Sequence, residues 1–325
     1  MSALIVEKTS IDNQHTYENS VFPLVYASQA NNYSRSIGQW VKDNKQSIEK
    51  ELSLNGAVLF RGFGVNDDHN FDDFIRAFGW ESFTYDESLS NAVRHNRTEL
   101  VFTANEAPPS VSIFLHHEMA QTPIYPSKLF FFCEQASESG GATPICRSDI
   151  LLEQLEQEIP DFVLSCREKG LRYSQTMPPK NDLASGQGRS WASTLSAETQ
   201  AEAEVKLKRL GYEWQWQSDG SLSVVTPVLP AIKTLEDGRK VFFNQLIAAF
   251  RGWQDTRNKS GKSICFGDNS PISNFDMAVV IDLADRLTFD IPWQTGDVAL
   301  LDNLVAMHGR HPFEGQRRVL ASLVA

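Results

Sequence analysis

Residues 298–325 constrain the fold more than any other stretch. They hold three short apolar runs, "VALLDN", "LVAMHG" and "RRVLASLVA", separated by polar or glycine-containing turns. Runs of this length read as strands packed close together in sequence. Upstream, "GAVLFRGF", "SIFLHHEMA" and "KLFFFCEQA" are further strand candidates, the last two joined by a turn between Pro123 and Ser127. "YEWQWQSDGSLSVVT" alternates across an Asp219-Gly220 turn, a hairpin signal, and "GRKVFFNQ" continues the strands.

Helices lie mostly at the start and in one central stretch. Ile37, Trp40, Val41, Ile48 and Leu52 fall on one helical face that Asn55-Gly56 stops. Phe71, Phe74, Ile75 and Phe78 make a second, with Asp67 or Asp68 as cap and Gly79 as stop. A third runs from Ser148 to Pro160, a fourth ends at Gly170, a polar helix spans Ser196 to Leu210, and another lies around Phe275 to Leu287. Residues 172–195 carry adjacent prolines, several glycines and no period, and so read as a functional loop. Many short strands braced by helices give an α+β, mainly β fold class: an antiparallel sandwich or jelly roll, with a helical and loop insertion. The expected organisation is a single domain over 1–325, with a lid or insertion at about 172–226. No Gly-rich phosphate loop follows a first strand, which disfavours a nucleotide-binding α/β fold.

Charge and targeting narrow the partners. Forty-one acidic against 30 basic residues give a formal charge of -11, which disfavours nucleic acid and anionic membranes. The N-terminus lacks a signal-peptide pattern and no apolar run approaches a membrane span, so a cytoplasmic protein is expected. Cys133, Cys146, Cys166 and Cys265 form no C-x-x-C pair and read as buried small hydrophobes.

Chemistry concentrates in "FLHHEMAQTP". Strand side chains alternate, so His116 and Glu118 point one way and His117 the other, as a structural partner. Seven histidines and 41 acidic residues in 325 positions supply about one H-x-[DE] pair by chance, so the pair alone reads first as a buried hydrogen-bonded pair. It does present one nitrogen and one oxygen to a common point, two thirds of a 2-His-1-carboxylate facial triad. Among the remaining histidines only His308 ends an apolar strand, whereas His15, His69, His95 and His311 lie in polar stretches or loops. "SGGATP" places the Thr143 hydroxyl behind two glycines that permit a tight turn. Arg318 shares a strand face with Leu320 and Ser322, with Arg317 facing outward. An inward arginine in an apolar strand requires an anion, which a dicarboxylate would supply.

With these motifs in this order, the chain resembles the taurine dioxygenase-like, clavaminate synthase-like iron(II)/2-oxoglutarate oxygenases, from "GAVLFRGF" through "GDVALLDNLVAMHGRHPFEGQRRVL". The resemblance implies iron(II) on His116, Glu118 and His308, and Thr143 with Arg318 on the far carboxylate of 2-oxoglutarate. It also implies dioxygen as oxidant, succinate and carbon dioxide as products, and hydroxylation of an aliphatic C–H bond. Taurine dioxygenase has an arginine four residues beyond the cosubstrate arginine to grip the sulfonate; here that place is Ser322, which disfavours a sulfonate. Glutamate in the pair resembles the clavaminate synthase branch and disfavours halogenation. A small amino-acid-like substrate in specialised metabolism follows, either free or tethered to a carrier domain docking on Arg167, Lys169, Arg172 and Lys180. The alternatives are desaturation or cyclisation at the same site, or zinc hydrolysis, which leaves Arg318 unexplained. Asn105, Arg189, Asn244 and Arg251 are the candidate substrate contacts, Arg251 for a substrate carboxylate; Glu106, Trp191 and Gln245 are further residues for the mouth.

Overall fold

The computed structural model describes residues 4–30, 32–84, 89–90, 92–182, 188–252, 257 and 263–325. In chain order the elements that position the site are β1 (Val6–Thr9), β2 (Leu24–Ala30), α1 (Arg35–Asn55), β3 (Ala57–Phe63), α2 (Asp68–Phe78), β4 (Phe102–Thr103), β5 (Ile113–His116), β6 (Lys128–Gln135) and β7 (Thr143–Arg147). Next come α3 (Ser148–Glu158), α4 (Pro160–Lys169), β8 (Leu171–Met177), α5 (Trp191–Leu195), α6 (Gln200–Leu210), β9 (Glu213–Trp216), β10 (Leu222–Val225) and α7 (Leu246–Gly252). The chain closes with β11 (Ile264–Phe266), α8 (Asn274–Arg286), β12 (Thr288–Ile291), β13 (Val298–Asp302), β14 (Ala306–Arg310) and β15 (Arg318–Val324).

A seven-stranded major sheet runs in the order β1-β2-β3-β13-β6-β15-β4, and a four-stranded minor sheet in the order β12-β7-β14-β5. All pairings in these sheets are antiparallel except β2 with β3. The two sheets face each other. Leu59, Leu129, Leu301, Ala321 and Leu323 of the major sheet share one apolar cluster with Ile145, Phe289, Ile291 and Ala306 of the minor sheet. This mainly β architecture is consistent with a jelly-roll core. The outer face of the major sheet, with Val58, Phe60, Phe130, Phe132, Leu300 and Leu320, packs on Ile37, Val41, Phe71, Phe74 and Phe78 of α1 and α2. Cys146, Met307 and Leu115 of the minor sheet pack on α3, α4, α7 and α8. Both sheets are therefore apolar on both faces.

Local signals placed the helices well. The helix stops sit at Gly56 and Gly79, both left-handed, and Asp67 caps α2 by accepting from the Asn70 amide. The structure corrects three other expectations. The expected loop over 172–195 begins as strand β8, because Tyr173 and Met177 are buried on a face whose third member is the polar Gln175, so the alternation is disguised. A third sheet in the order β9-β10-β8-β11 results. The polar helix expected over Ser196 to Leu210 is α6, which starts only after Thr199, whose side chain accepts from Glu202 N; α5 is a short helix inside the expected loop, ended at Ser196 with φ 46°. The strand expected at "GRKVFFNQ" extends only over Lys240–Val241 before the chain turns into α7. Among the described residues, no helix is long and apolar enough to cross a membrane.

Candidate functional site

β14 carries His308 between its neighbours β7 and β5, directly opposite Ile145 on one side and His116 on the other. Paired residues project to the same face, so the two imidazoles point together into the space between the sheets, with ring centroids 4.3 Å apart. Phe131 of the major sheet closes over them, 5.2 Å from the His308 ring. Strand β5 ends at His116, and Glu118 reaches the site from the turn that follows, where Met119 adopts φ 60°. Its Oε2 lies 3.6 Å from His308 Nε2. One donor atom from each of His116, Glu118 and His308 falls within 4.8 Å of the others, a spacing that could hold a metal ion.

Electrostatics fix the donors in ligating form. His116 Nδ1 lies 2.8 Å from the Phe114 carbonyl, which can only accept, so Nδ1 carries the proton and Nε2 keeps its lone pair. Burial, reinforced by the neighbouring His308, pushes the His116 imidazole down to about 4. Burial opposes charge on Glu118 as well, but the Arg94 guanidinium and then His308 outweigh it and hold the carboxyl well below the usual carboxylate range. Arg94 Nη2 donates to both Glu118 oxygens at 3.2 and 3.0 Å, and both side chains are buried. Neutral imidazole and a lone carboxylate, with His308 Nδ1 buried and unpartnered among the described residues, form a donor set that fits a divalent first-row metal such as iron(II). His117 instead points its Nδ1 at the Asn303 carbonyl 2.5 Å away and packs on Phe243. Asn303 secures the turn: its Oδ1 accepts from Glu118 N at 2.8 Å, and its Nδ2 donates to the carbonyls of Glu118 and Pro126.

The arginine assignment reverses. Arg318 does share a face with Leu320, but that is the outer, helix-covered face of the major sheet, and the guanidinium emerges to bond Glu134 Oε2 at 2.6 Å with its side chain 52% exposed. A register shift in the β15–β6 pairing at this point gives Glu134 room beside it. Arg317, expected outside, is the inward one. Its Nε donates to the Gly141 carbonyl at 2.8 Å and its Nη2 lies 3.3 Å from Thr143 Oγ1. Gly141 sits at φ 70°, and a Cβ there would lie 2.9 Å from Arg317 Cδ, so glycine is what lets the arginine seat. Thr143 also accepts from Trp293 Nε1 at 2.9 Å. Thr143 lies two residues before Ile145 on β7, on the face that carries His308, which puts it within about 7 Å of backbone travel from the histidine pair. Burial lowers the Arg317 guanidinium to about 10, with Arg310 adding to the effect, and no acidic partner faces it among the described residues.

The four candidate substrate contacts do not gather here. Arg251 lies on α7 with its guanidinium on Asp285 and 4.4 Å over the Phe114 ring, at the protein surface. Arg189 is 1% exposed and bonds Ser193 and the Ser90 carbonyl, which anchors α5. Asn244 caps α7 through Leu246 N and bonds the Ala231 carbonyl. Asn105 caps its own loop through Ala107 N. Of the further residues, Glu106 is exposed, Trp191 packs against Trp216, and Gln245 donates to the His117 carbonyl. Sequence reasoning missed Arg94, Asn303, Trp293 and the true facing of Arg317. Arg94 stands in a polar stretch with no periodic signal, and only its contact with Glu118 reveals it.

The taurine catabolism dioxygenase TauD, TfdA family matches residues 21–323. A clavaminate synthase-like protein of Arabidopsis thaliana is 39% identical over 334 residues, covering 99% of each chain. The dapdiamide synthesis protein DdaC of Enterobacter agglomerans is 28% identical over 85% of this chain and 84% of its own. The solved structure of PvcB from Pseudomonas aeruginosa superposes with a TM-score of 0.57 at 12% identity, covering 99% of this chain and 91% of that one, a likeness of fold. The chain belongs to the TauD/TfdA family and is an iron(II)- and 2-oxoglutarate-dependent dioxygenase.

Proposed function

We propose that this dioxygenase hydroxylates an aliphatic carbon of a small, amino-acid-like substrate taken free in a biosynthetic pathway. His116, Glu118 and His308 hold the iron, and Arg317 with Thr143 grips the far carboxylate of 2-oxoglutarate. The observation that carries this reading is Arg317, a half-buried guanidinium hydrogen-bonded to neutral oxygens with no acidic neighbour among the described residues. A half-buried cation without a counter-charge favours an anion beside it, and a dicarboxylate placed beside the donor triad supplies one.

Bound iron supplies the redox chemistry, coupling oxidative decarboxylation of the keto acid by dioxygen to oxidation of a C–H bond. The chain's own residues bind, orient and exclude. Phe114 fixes the His116 tautomer, Arg94 keeps Glu118 ionised, Trp293 and Arg317 orient the Thr143 hydroxyl, and Phe131 keeps water from the histidine pair. With Arg317 as anchor, the place four residues on is Ala321, so the sulfonate-gripping arginine is missing in the corrected register as well. The DdaC relative, named for dapdiamide synthesis, supports a biosynthetic role. Three of the four basic residues considered for a carrier are neutralised, Arg167 by Glu156, Lys169 by Asp268 and Arg172 by Glu213, which favours a free substrate. Residues 172–226 serve as the lid.

Iron(II) and 2-oxoglutarate mixed with the protein without oxygen should give the weak visible charge-transfer band of a chelated keto acid. Arg317→Ala should weaken 2-oxoglutarate by about 1.5–3 kcal/mol, the scale of a lost charge-assisted hydrogen bond, while Arg318→Ala leaves it unchanged. Equal effects of the two would refute the anchor. A mass-spectrometric screen for amino-acid-dependent succinate release tests the substrate class, and taurine turning over faster than every amino acid would overturn it.

A further inference from the structure

The Glu118 carboxylate is approached from two sides. Arg94 Nη2 reaches both of its oxygens at nearly equal distances, 3.2 Å to Oε1 and 3.0 Å to Oε2, so this one nitrogen lies close to the line that bisects the carboxylate. His308 Nε2 comes nearest to Oε2, at 3.6 Å, which makes Oε2 the oxygen on the side of the donor triad. A metal ion can take a carboxylate through one oxygen or through both. Binding through both puts the ion on the bisecting line, at about 2.0–2.2 Å from each oxygen for an ion of zinc's size. Arg94 Nη2 already stands close to that line, and an ion there would lie well inside the contact distance of the nitrogen and against its positive charge. Binding through Oε2 alone is compatible with Arg94 where it stands.

Neither partner withdraws cheaply. The Arg94 and Glu118 side chains are 8% and 4% exposed, so little water is at hand to replace the contact when it opens. The Glu118 amide is pinned by Asn303 Oδ1. The chain just after Arg94 is laced to β4 and the residue before it: Thr103 N donates to the His95 carbonyl at 2.9 Å and Arg97 N to the Val101 carbonyl at 2.8 Å. The guanidinium itself rests 5.3 Å over the Phe102 ring of the same strand. A glutamate has one more methylene and one more torsion than an aspartate, so its carboxylate has more ways to meet an ion, and a fixed guanidinium on its bisector removes one of them.

Resting on the function proposed above, we infer that Arg94 is a positioning residue that restricts Glu118 to metal binding through one oxygen, Oε2. With one donor atom from each of His116, Glu118 and His308, a six-coordinate iron(II) retains three positions, two for the keto acid and one for dioxygen. A second oxygen from Glu118 would fill the last of them. Arg94 thereby keeps the dioxygen position open without touching it.

A crystal structure of the full-length protein loaded with manganese(II) and 2-oxoglutarate should show Glu118 Oε2 on the metal and Oε1 still hydrogen-bonded to Arg94. Both oxygens on the metal, or Arg94 turned away from Glu118, would overturn the inference. In solution, nitric oxide stands in for dioxygen and is titrated anaerobically, read by the electron paramagnetic resonance signal of its iron(II) adduct. With 2-oxoglutarate bound, Arg94→Met should weaken nitric oxide at least about tenfold relative to the wild type; without 2-oxoglutarate, when positions are in surplus, the change should stay below about twofold. Equal affinity of the two proteins with 2-oxoglutarate bound, or an equal loss with and without it, would overturn the assignment as well. If Arg94→Met fails to fold or to load iron, the manganese structure of the wild type decides by itself. The anaerobic iron–2-oxoglutarate band separates the two claims. A wild type that shows the band but holds its metal through both Glu118 oxygens sinks this inference alone; a wild type without the band sinks the proposed function.

Discussion

Arg94 and Glu118 form a buried ion pair on the metal-facing carboxylate, and such pairs are costly to break from one side. Arg94→Leu should therefore cost the metal-free protein about 3–5 kcal/mol, because the Glu118 charge is left buried and uncompensated. Metal-loaded protein should lose much less, since the ion takes over as counter-charge. Urea unfolding with and without bound metal measures the difference, and equal losses in the two states would reduce Arg94 to a packing role over Phe102. The imidazoles give a second residue-scale consequence. Burial holds His116 down to about 4 and His117 down to about 3, against about 6.5 in an unfolded chain. Below pH ~6.5 the unfolded chain takes up protons that the folded apoprotein refuses. The stability these groups contribute is thus fully present above that pH and is lost as pH falls towards 4, by roughly 1 kcal/mol per pH unit for each imidazole. A urea midpoint of the metal-free protein that stays flat from pH 7 to pH 5 would contradict this.

The site also depends on how strand ends are tied together. Asn303, just beyond β13, is fully buried and spans to the Glu118 turn through both its amide atoms, while its carbonyl takes the His117 Nδ1 proton. Asn303→Ala leaves a buried N–H and two carbonyls without these partners, and should lower stability by about 3 kcal/mol and weaken metal binding at least tenfold. If metal affinity is unchanged while the melting temperature drops, Asn303 holds the fold and not the ligand. At the same scale, the hairpin of β9 and β10, the helix stops at Gly56 and Gly79 and the Asp67 cap were legible because each follows from one residue's own conformational or hydrogen-bonding preference. Strand β8 was not legible, because Gln175 interrupts its buried face with a polar side chain. Nor was the end of β5 at His116, since the left-handed Met119 that turns the chain carries no glycine or asparagine signal.

Across the whole molecule, the major sheet separates two tasks by face: Leu320 packs outward beneath α1 and α2, while Ala321, its neighbour, faces the site opposite Phe131. Leu320→Ala should cost about 2–5 kcal/mol of stability and leave 2-oxoglutarate affinity unchanged at temperatures where the protein is folded. A parallel fall in cosubstrate affinity would mean the two faces are not independent. This two-sided burial also explains the misplaced arginine. Alternation correctly grouped Arg318 with Leu320, but a sheet that is apolar on both faces gives no compositional sign of which face encloses the site. By itself the sequence determined the mainly β class, the ends of α1 and α2 and the trio His116, Glu118 and His308, because short-range periodicity, helix-end signals and a short motif are local properties. Only the tertiary structure decided that Arg317 meets Thr143 and that Arg94 neutralises Glu118. Each of these meetings joins side chains far apart in sequence, or turns on which face of a doubly covered sheet points inward, and long-range packing alone sets both.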